Sequence, residues 1–416
     1  MRNCRSSTFR TRLRRITTPT IAAGLHATVL LGILLVMPVS VEAHDPSAFG
    51  GLFRSRDGGA TWFPANPGRI VSGAIALAVS PTEPNHVLLA TDSGLLRSRN
   101  AGFDWSVEAP SRLVGPVFAV AFDADGRRAL VSTETELFRC DDGQTWRAIR
   151  APSGTLPARL LVPDGPGRLY LVGWQGLYTS DDWGASWNAV ASPVPELPVT
   201  QIVVTARTRT VYAIAAARLW VMDDRTRTWR AADAGLSHGT IDVVSVEPGQ
   251  PRRLWTIARG QIFQSEDGGT VWRPWGKPVE GEGGRLAVRG LALSVGARNA
   301  VLTTDRGLYR SADGVSWEFS ADNLPGHLEA WPLVRDPTDP DTLYAGFALI
   351  PYPELWRQAV ERSSALQRER MALKAVAASV ALLGLVALAA VVARRMLRRH
   401  DGRRSAPRRS SPGIPR

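Results

Sequence analysis

The chain has 416 residues, 44% of them apolar, two cysteines and a formal net charge of +12. Residues 1–43 hold six Arg and one Glu and residues 394–416 hold nine Arg and one Asp, so residues 44–393 carry only −1. A near-neutral body excludes a nucleic-acid-binding domain. Cys140 has no possible partner except Cys4 in the N-terminal segment, which excludes an intramolecular disulfide in an exported chain.

The chain opens with Arg2, Arg5, Arg10, Arg12, Arg14 and Arg15, then an uncharged stretch from Ile16 to Val41, then Val41-Glu42-Ala43. A basic start, an apolar middle and small residues at a cleavage position predict a secretory signal peptide over 1–43, cut after Ala43. The alternative is an uncleaved anchor, and Arg14-Arg15 as a twin-arginine signal fits its surroundings poorly. Residues 44–355 then repeat. Seven copies close on Trp62, Trp105, Trp146, Trp187, Trp229, Trp272 and Trp317, at steps of 43, 41, 41, 42, 43 and 45 residues. A fixed period in this range marks a solenoid, propeller or array.

Each copy begins with an apolar pair, as in Gly51-Leu52-Phe53 or Gly176-Leu177-Tyr178, followed by a polar box and the Trp. Apolar runs flanking a Gly/Asp-rich connection predict a β-hairpin. Between boxes two more strands are legible, such as Ile75–Val79 and Val87–Ala90. Four strands in roughly 40 residues is the arithmetic of a propeller blade. Gly51–Pro64 supplies only the outer half of a unit, and Leu333–Ala345 only the inner half. Joined, they make one split blade, so the expected fold is all-β: a seven-bladed β-propeller closed by both ends of the chain, with no open strand edge.

After the propeller comes a Glu/Arg/Gln-rich segment, 356–374 at its core, that reads as a helical stalk and as a solvated connector. Residues 375–393 are uncharged and dominated by Ala, Val and Leu. At 1.5 Å per residue they span roughly 28 Å, enough to cross a bilayer. Arg394, Arg395, Arg398 and Arg399 follow directly and predict that this end is cytoplasmic. The Arg/Ser/Pro-rich tail, 394–416, is expected to be disordered. The localisation that follows is a single-pass protein of the cell membrane with an extracytoplasmic propeller, its bilayer contact made by residues 375–393.

The boxes Ser55-Arg56-Asp57-Gly58-Gly59-Ala60-Thr61-Trp62, Ser180 to Trp187 and Ser265 to Trp272 share the pattern Ser-x-Asp-x-Gly-x-Thr-Trp. This pattern resembles the BNR or Asp-box repeat of sialidase-like β-propellers. Box two has Asn100 for Asp, boxes three and seven are one residue shorter, and box five keeps Asp224 but has Thr226 for Gly. The resemblance covers residues 50–350. It implies a seven-bladed propeller in which Ser55, Asp57, Gly59, Trp62, Ser180, Asp182, Gly184, Trp187, Ser265, Asp267, Gly269 and Trp272 are structural, their turns at the periphery. In layout the chain is similar to photosystem assembly factors and, more distantly, to sortilin-type propellers.

Relatives of this repeat include glycoside hydrolases, so catalysis needs a direct test. Five of the six tyrosines fill repeat positions that elsewhere hold Phe, Leu or Trp, leaving only Tyr352 off the pattern. A sialidase needs a Tyr nucleophile and an arginine cluster, and the pattern offers little for either. A two-carboxylate hydrolase would draw on Glu196, Asp242, Glu282 and Glu329, which look scattered among the blades. Arg159, His238, Asp242, Arg285, Arg289, His327, Glu329 and Trp331 also lie off the repeat near starts of inner strands. Mixed polar and aromatic residues at a funnel mouth suit a peptide, a protein segment or a glycan. No cofactor and no metal are expected, since no Cys/His cluster has ligand spacing. The reading that fits best is a non-catalytic platform for another membrane or envelope protein; the alternative is a glycoside hydrolase or glycan-binding module.

Overall fold

The computed structural model describes residues 50–404, apart from 196, 206–207, 224–225, 237–239, 248, 282–283, 295–298 and 327. Residues 1–49, where a signal peptide is expected, residues 405–416, and the candidates Glu196, Glu282, His238 and His327 lie outside the described residues.

Seven four-stranded antiparallel sheets form a seven-bladed β-propeller. In each whole blade the first strand in sequence is innermost and the fourth is outermost, as in Ala74–Val79, Val87–Thr91, Leu95–Ser98 and Ser106–Val107. The inner strands touch in succession, and the last, Glu329–Arg335, touches the first, Ala74–Val79, so the ring is closed. The closing blade takes Glu329–Arg335 and Leu343–Ala348 from the end of the propeller and Gly51–Ser55 and Phe63–Pro64 from its start. Its seam is in register: Gly51 faces Phe347 and Ser55 faces Leu343.

In six of the seven blades the second strand is buried along its whole length, as in Val87–Thr91, Ala129–Thr133 and Leu343–Ala348. Blades pack on both its faces, which is why these strands are apolar runs and not alternations. The polar boxes are built by short hydrogen bonds. Ser55 Oγ donates to Asp57 Oδ1 (2.7 Å) and accepts from the Gly59 N–H (2.8 Å), and Asp57 accepts from the N–H and hydroxyl of Thr61 (2.9 and 2.6 Å). The same pattern recurs at Ser180/Asp182/Gly184 and at Ser265/Asp267/Gly269. Gly59 stands at a positive φ, with Val301 where a Cβ would go, so this box position accepts only glycine.

Five of the seven box tryptophans fasten blade to blade by hydrogen bonds. The indole N–H of Trp105 donates to Ala65 O (2.8 Å), that of Trp187 to Arg150 O (3.2 Å), that of Trp229 to Ala191 O (2.7 Å) and that of Trp272 to Ala232 O (2.7 Å). Trp146 uses the Glu108 carboxylate of the preceding blade instead (2.7 Å). Burying the ring supplies apolar contact, and the N–H satisfies a carbonyl that the blade boundary leaves unpaired.

Helix α1 runs unbroken from Tyr352 to Arg404. Pro353 suits its first turn, where the missing N–H has no intrahelical partner, and Glu354 suits the positive end of the dipole. Its apolar part, exposed throughout, is long enough to cross a membrane. The start of α1 departs from the solvated connector expected. Tyr352, Trp356, Ala359 and Ser363 form one buried stripe, packed with Ile75 and Phe118 of the inner strands. Arg362 then makes a two-pronged ion pair with Glu134 (2.9 and 3.0 Å), and Ser363 Oγ donates to Glu134 O (3.3 Å). The stripe was hard to read in the sequence because a Tyr, a Trp, an Ala and a Ser carry it among charged neighbours. α1 thus crosses the mouth of the ring before it leaves the propeller, and the expected boundary at 355/356 falls inside the helix.

Candidate functional site

Six of the seven inner strands begin with a β-bulge. The register skips one position between Ala74 and Ala76, Val117 and Ala119, Val199 and Gln201, Ile241 and Val243, Val288 and Gly290, and Ala330 and Leu333. A bulge leaves one residue unpaired and re-aims its side chain. The residues so freed are Ile75, Phe118, Thr200, Asp242, Arg289 and, in the last blade, Trp331 with Pro332. In the remaining blade Arg159 stands at the corresponding place, directly before the strand Leu160–Pro163. Ile75, Phe118, Arg159, Thr200 and Asp242 each lie thirteen residues past a box tryptophan. Arg289 lies seventeen past because the hairpin Glu280–Gly281/Gly284–Arg285 is inserted before it.

One repeat position therefore furnishes a ring of seven side chains of six kinds around the mouth of the propeller, and α1 divides it. Ile75 and Phe118 pack with Tyr352, Trp356 and Ala359, with Trp331 against the same cluster. Arg159, Thr200, Asp242 and Arg289 line a cavity of about 200 Å³, together with Glu329, Trp331 and the α1 residues Tyr352 and Pro353. A larger cleft of about 350 Å³ lies further along α1, between Glu134–Leu137 and Leu366 to Arg370, and none of the ring residues reaches it.

The cavity holds unspent hydrogen-bonding capacity. Glu329 Oε1 accepts from Arg289 Nε (2.9 Å), but Oε2 is buried with no partner among the described residues, in a side chain only 3% exposed. Asp242 Oδ2 is also buried without a hydrogen bond, 3.6 Å from the Arg285 guanidinium. Burial, opposed by Arg285 and Arg289 respectively, holds both carboxyl groups above their ordinary range. Arg159 Nε donates to Thr200 O (3.2 Å), and its guanidinium lies over the Trp356 ring at 5.0 Å. It makes no ion pair with any described carboxylate, and burial lowers its affinity for its proton, with the like charge of Arg289 adding to the effect. The Tyr352 hydroxyl donates to Arg159 O (2.9 Å), and burial pushes its pKa up to about 12. A phenol so held is a strut and not a nucleophile.

The geometry thus brings together Arg159, Asp242, Arg289, Glu329 and Trp331. It places Arg285 at their edge, on Asp242 and on Thr240 Oγ1 (3.0 Å). Asp242 and Glu329 are not scattered, as their sequence positions suggested; two bulged strands deliver them to one cavity. Sequence reasoning missed Ile75, Phe118, Thr200 and Tyr352. The first two blend with the apolar strand pattern, but the fixed spacing of thirteen from each Trp marks all three ring members. Among the described residues no cluster of His, Cys, Asp and Glu is arranged to hold a metal.

No family model and no curated protein matches the chain. Solved structures do. YCF48 bound to D1 peptide is similar at a TM-score of 0.52 and 17% identity, over 68% of this chain and 95% of that one. YCF48 from Cyanidioschyzon merolae is similar at 0.51 and 16%, over 66% and 94%. The GH74 xyloglucanase from Xanthomonas campestris is similar at 0.54 and 20%, over 69% of this chain and 53% of that one. At these identities the likeness establishes the propeller fold, which both a peptide-bound protein and a hydrolase share.

Proposed function

We propose that the protein is a membrane-anchored, non-catalytic platform that binds a segment of another envelope or membrane protein in the cavity under α1. The observation that carries this is the ring of bulged positions. Six blades spend a strand irregularity to aim mostly unlike side chains at one place, and five of the seven ring residues line a cavity that α1 completes. Each carboxylate there is tied to its own arginine, an arrangement suited to holding charge in place and poorly suited to trading protons. The YCF48 neighbour bound to a D1 peptide is compatible with this use of the fold. We place the propeller outside the membrane, with residues 375–393 as the span and the arginine-rich end in the cytoplasm, by the positive-inside rule. The twelve described box residues act as the structural staples of the blades. The test is affinity capture of the tagged full-length protein from its native membrane after gentle crosslinking. A reproducible membrane or envelope partner that is lost when cavity residues are changed supports the reading; capture that is indifferent to them refutes it.

A second reading rests on a specific observation. Asp242 and Glu329 share one concave site and are both held above the ordinary carboxylate range, which a glycoside hydrolase would need of one of them. Hydrolysis of a glycan panel by the full-length protein, abolished in Asp242→Asn or Glu329→Gln, would establish it.

A further inference from the structure

From the groups left unspent in the cavity we infer the chemistry of its ligand: a carboxylate, held by Arg159, carried beside an N–H or O–H donor that meets Glu329 Oε2. The inference rests on the binding-platform reading. Two observations point the same way.

The first is charge. Arg289 is matched by Glu329 and Arg285 by Asp242, so those pairs are neutral. Arg159 is left over. Its Nε is taken by Thr200 O and one ring face by Trp356, but no described carboxylate compensates its charge. With Arg285 at the edge counted beside Asp242, the described residues of the site are one positive charge in excess, next to the apolar walls of Leu160, Ile202 and Val288. A guanidinium in such a place is a ready fork for a carboxylate, and the low local polarity strengthens the pair.

The second is the buried oxygen. Glu329 Oε2 has no donor among the described residues, in a side chain almost wholly withdrawn from water. An unmet buried acceptor of this kind costs free energy that a ligand donor recovers. Its neighbour Oε1 is fixed by Arg289, so the free oxygen is held in one direction. About 200 Å³ is space for one amino-acid unit and not for a folded element. An amide N–H next to a carboxylate meets both demands at once. Either a chain's C-terminal residue or an acidic side chain with its own main-chain N–H provides this pair.

The experiment uses full-length protein in nanodiscs and fluorescent decapeptides in three sets: a free C-terminal carboxylate only, internal Asp or Glu with an amidated end, and neither. Anisotropy should report binding by one of the first two sets and not by the third, and which of the two binds identifies the source of the carboxylate. Arg159→Gln and Glu329→Gln should each weaken that binding by about tenfold or more. The amide of Glu329→Gln keeps the shape and the contact to Arg289 but presents a donor where an acceptor is needed. The comparison of the three peptide sets on unaltered protein needs no variant to fold. Equal binding by the neutral set, or unchanged affinity in both variants, overturns the inference. If no set binds but capture of the native partner still depends on the cavity, the ligand chemistry is wrong and the platform reading stands. If capture does not depend on the cavity either, both fall.

Discussion

The hydroxyl of Tyr352 donates a 2.9 Å hydrogen bond to the backbone carbonyl of Arg159, 193 residues earlier in the chain. This bond ties the first turn of α1, a helix long and apolar enough to cross a membrane, to a residue that lines the candidate cavity. It makes α1 part of the site. The cavity is thereby held at a fixed place on α1.

Seating of α1 rests on few residues, so it should be separable from propeller stability. Trp356→Ala removes a nearly buried ring and the face on which Arg159 stacks, at a cost of about 3 kcal/mol to docking. Hydrogen exchange should then accelerate over residues 352–363 while the second strands of the blades stay protected. Tyr352→Phe should do the same more weakly, by about 1 kcal/mol. Protection at 352–363 that is unaltered by Trp356→Ala would mean that the stripe does not hold the helix.

A pH effect should come from His86, far from the cavity. It is 3% exposed, its Nε2 accepts from Arg97 Nη1 (2.6 Å), and its Nδ1 stands 3.5 Å from the Glu83 carboxylate. Burial, with Arg97 and Arg99 nearby, lowers its pKa from 6.5 to about 4. The unfolded chain therefore takes up a proton near pH 6.5 that the folded one refuses. The stability due to neutral His86 is present above that pH and is lost as the pH falls toward about 4. Between pH 7 and pH 5 the loss should be about 2 kcal/mol. His86→Gln, which keeps an acceptor for Arg97, should flatten this limb in denaturant titrations at the two pH values.

The boxes and the surface pairs should differ sharply in worth. Asp57→Ala unmakes the bonds to the Thr61 N–H and hydroxyl and to Ser55 Oγ, and by analogy with a helix cap should cost about 1 kcal/mol or more. Glu134→Gln breaks a well-formed pair with a half-exposed Arg362 and should change stability by less than about 1 kcal/mol. Urea midpoints of the two variants, measured side by side, check the order.

Much of the fold is legible in the sequence because its determinants are local and repeated. The Trp spacing counts the blades, and Gly51–Pro64 with Leu333–Ala345 shows that the last one is split. The site is legible only in part. Off-pattern residues such as Arg159 and Asp242 stand out, but Thr200 is an ordinary strand residue until the bulge between Val199 and Gln201 turns it toward the cavity. Bulges leave no signature in composition. The docking of α1 is hidden for another reason: Ala359 and Ser363 are small, so the stripe they complete is buried by proximity and not by hydrophobicity. His238 and His327 lie outside the described residues, and their expected role stays a proposal.

The most direct test of the account places a photo-crosslinking amino acid at Thr200, inside the cavity, in the full-length protein in its native membrane. A second probe replaces Val271, exposed on the outer edge of a blade. Position 200 should give one discrete adduct with a membrane or envelope protein, absent from position 271 and lost on adding Arg159→Gln. Adducts from position 271 alone, or an adduct from position 200 that survives Arg159→Gln, would contradict it.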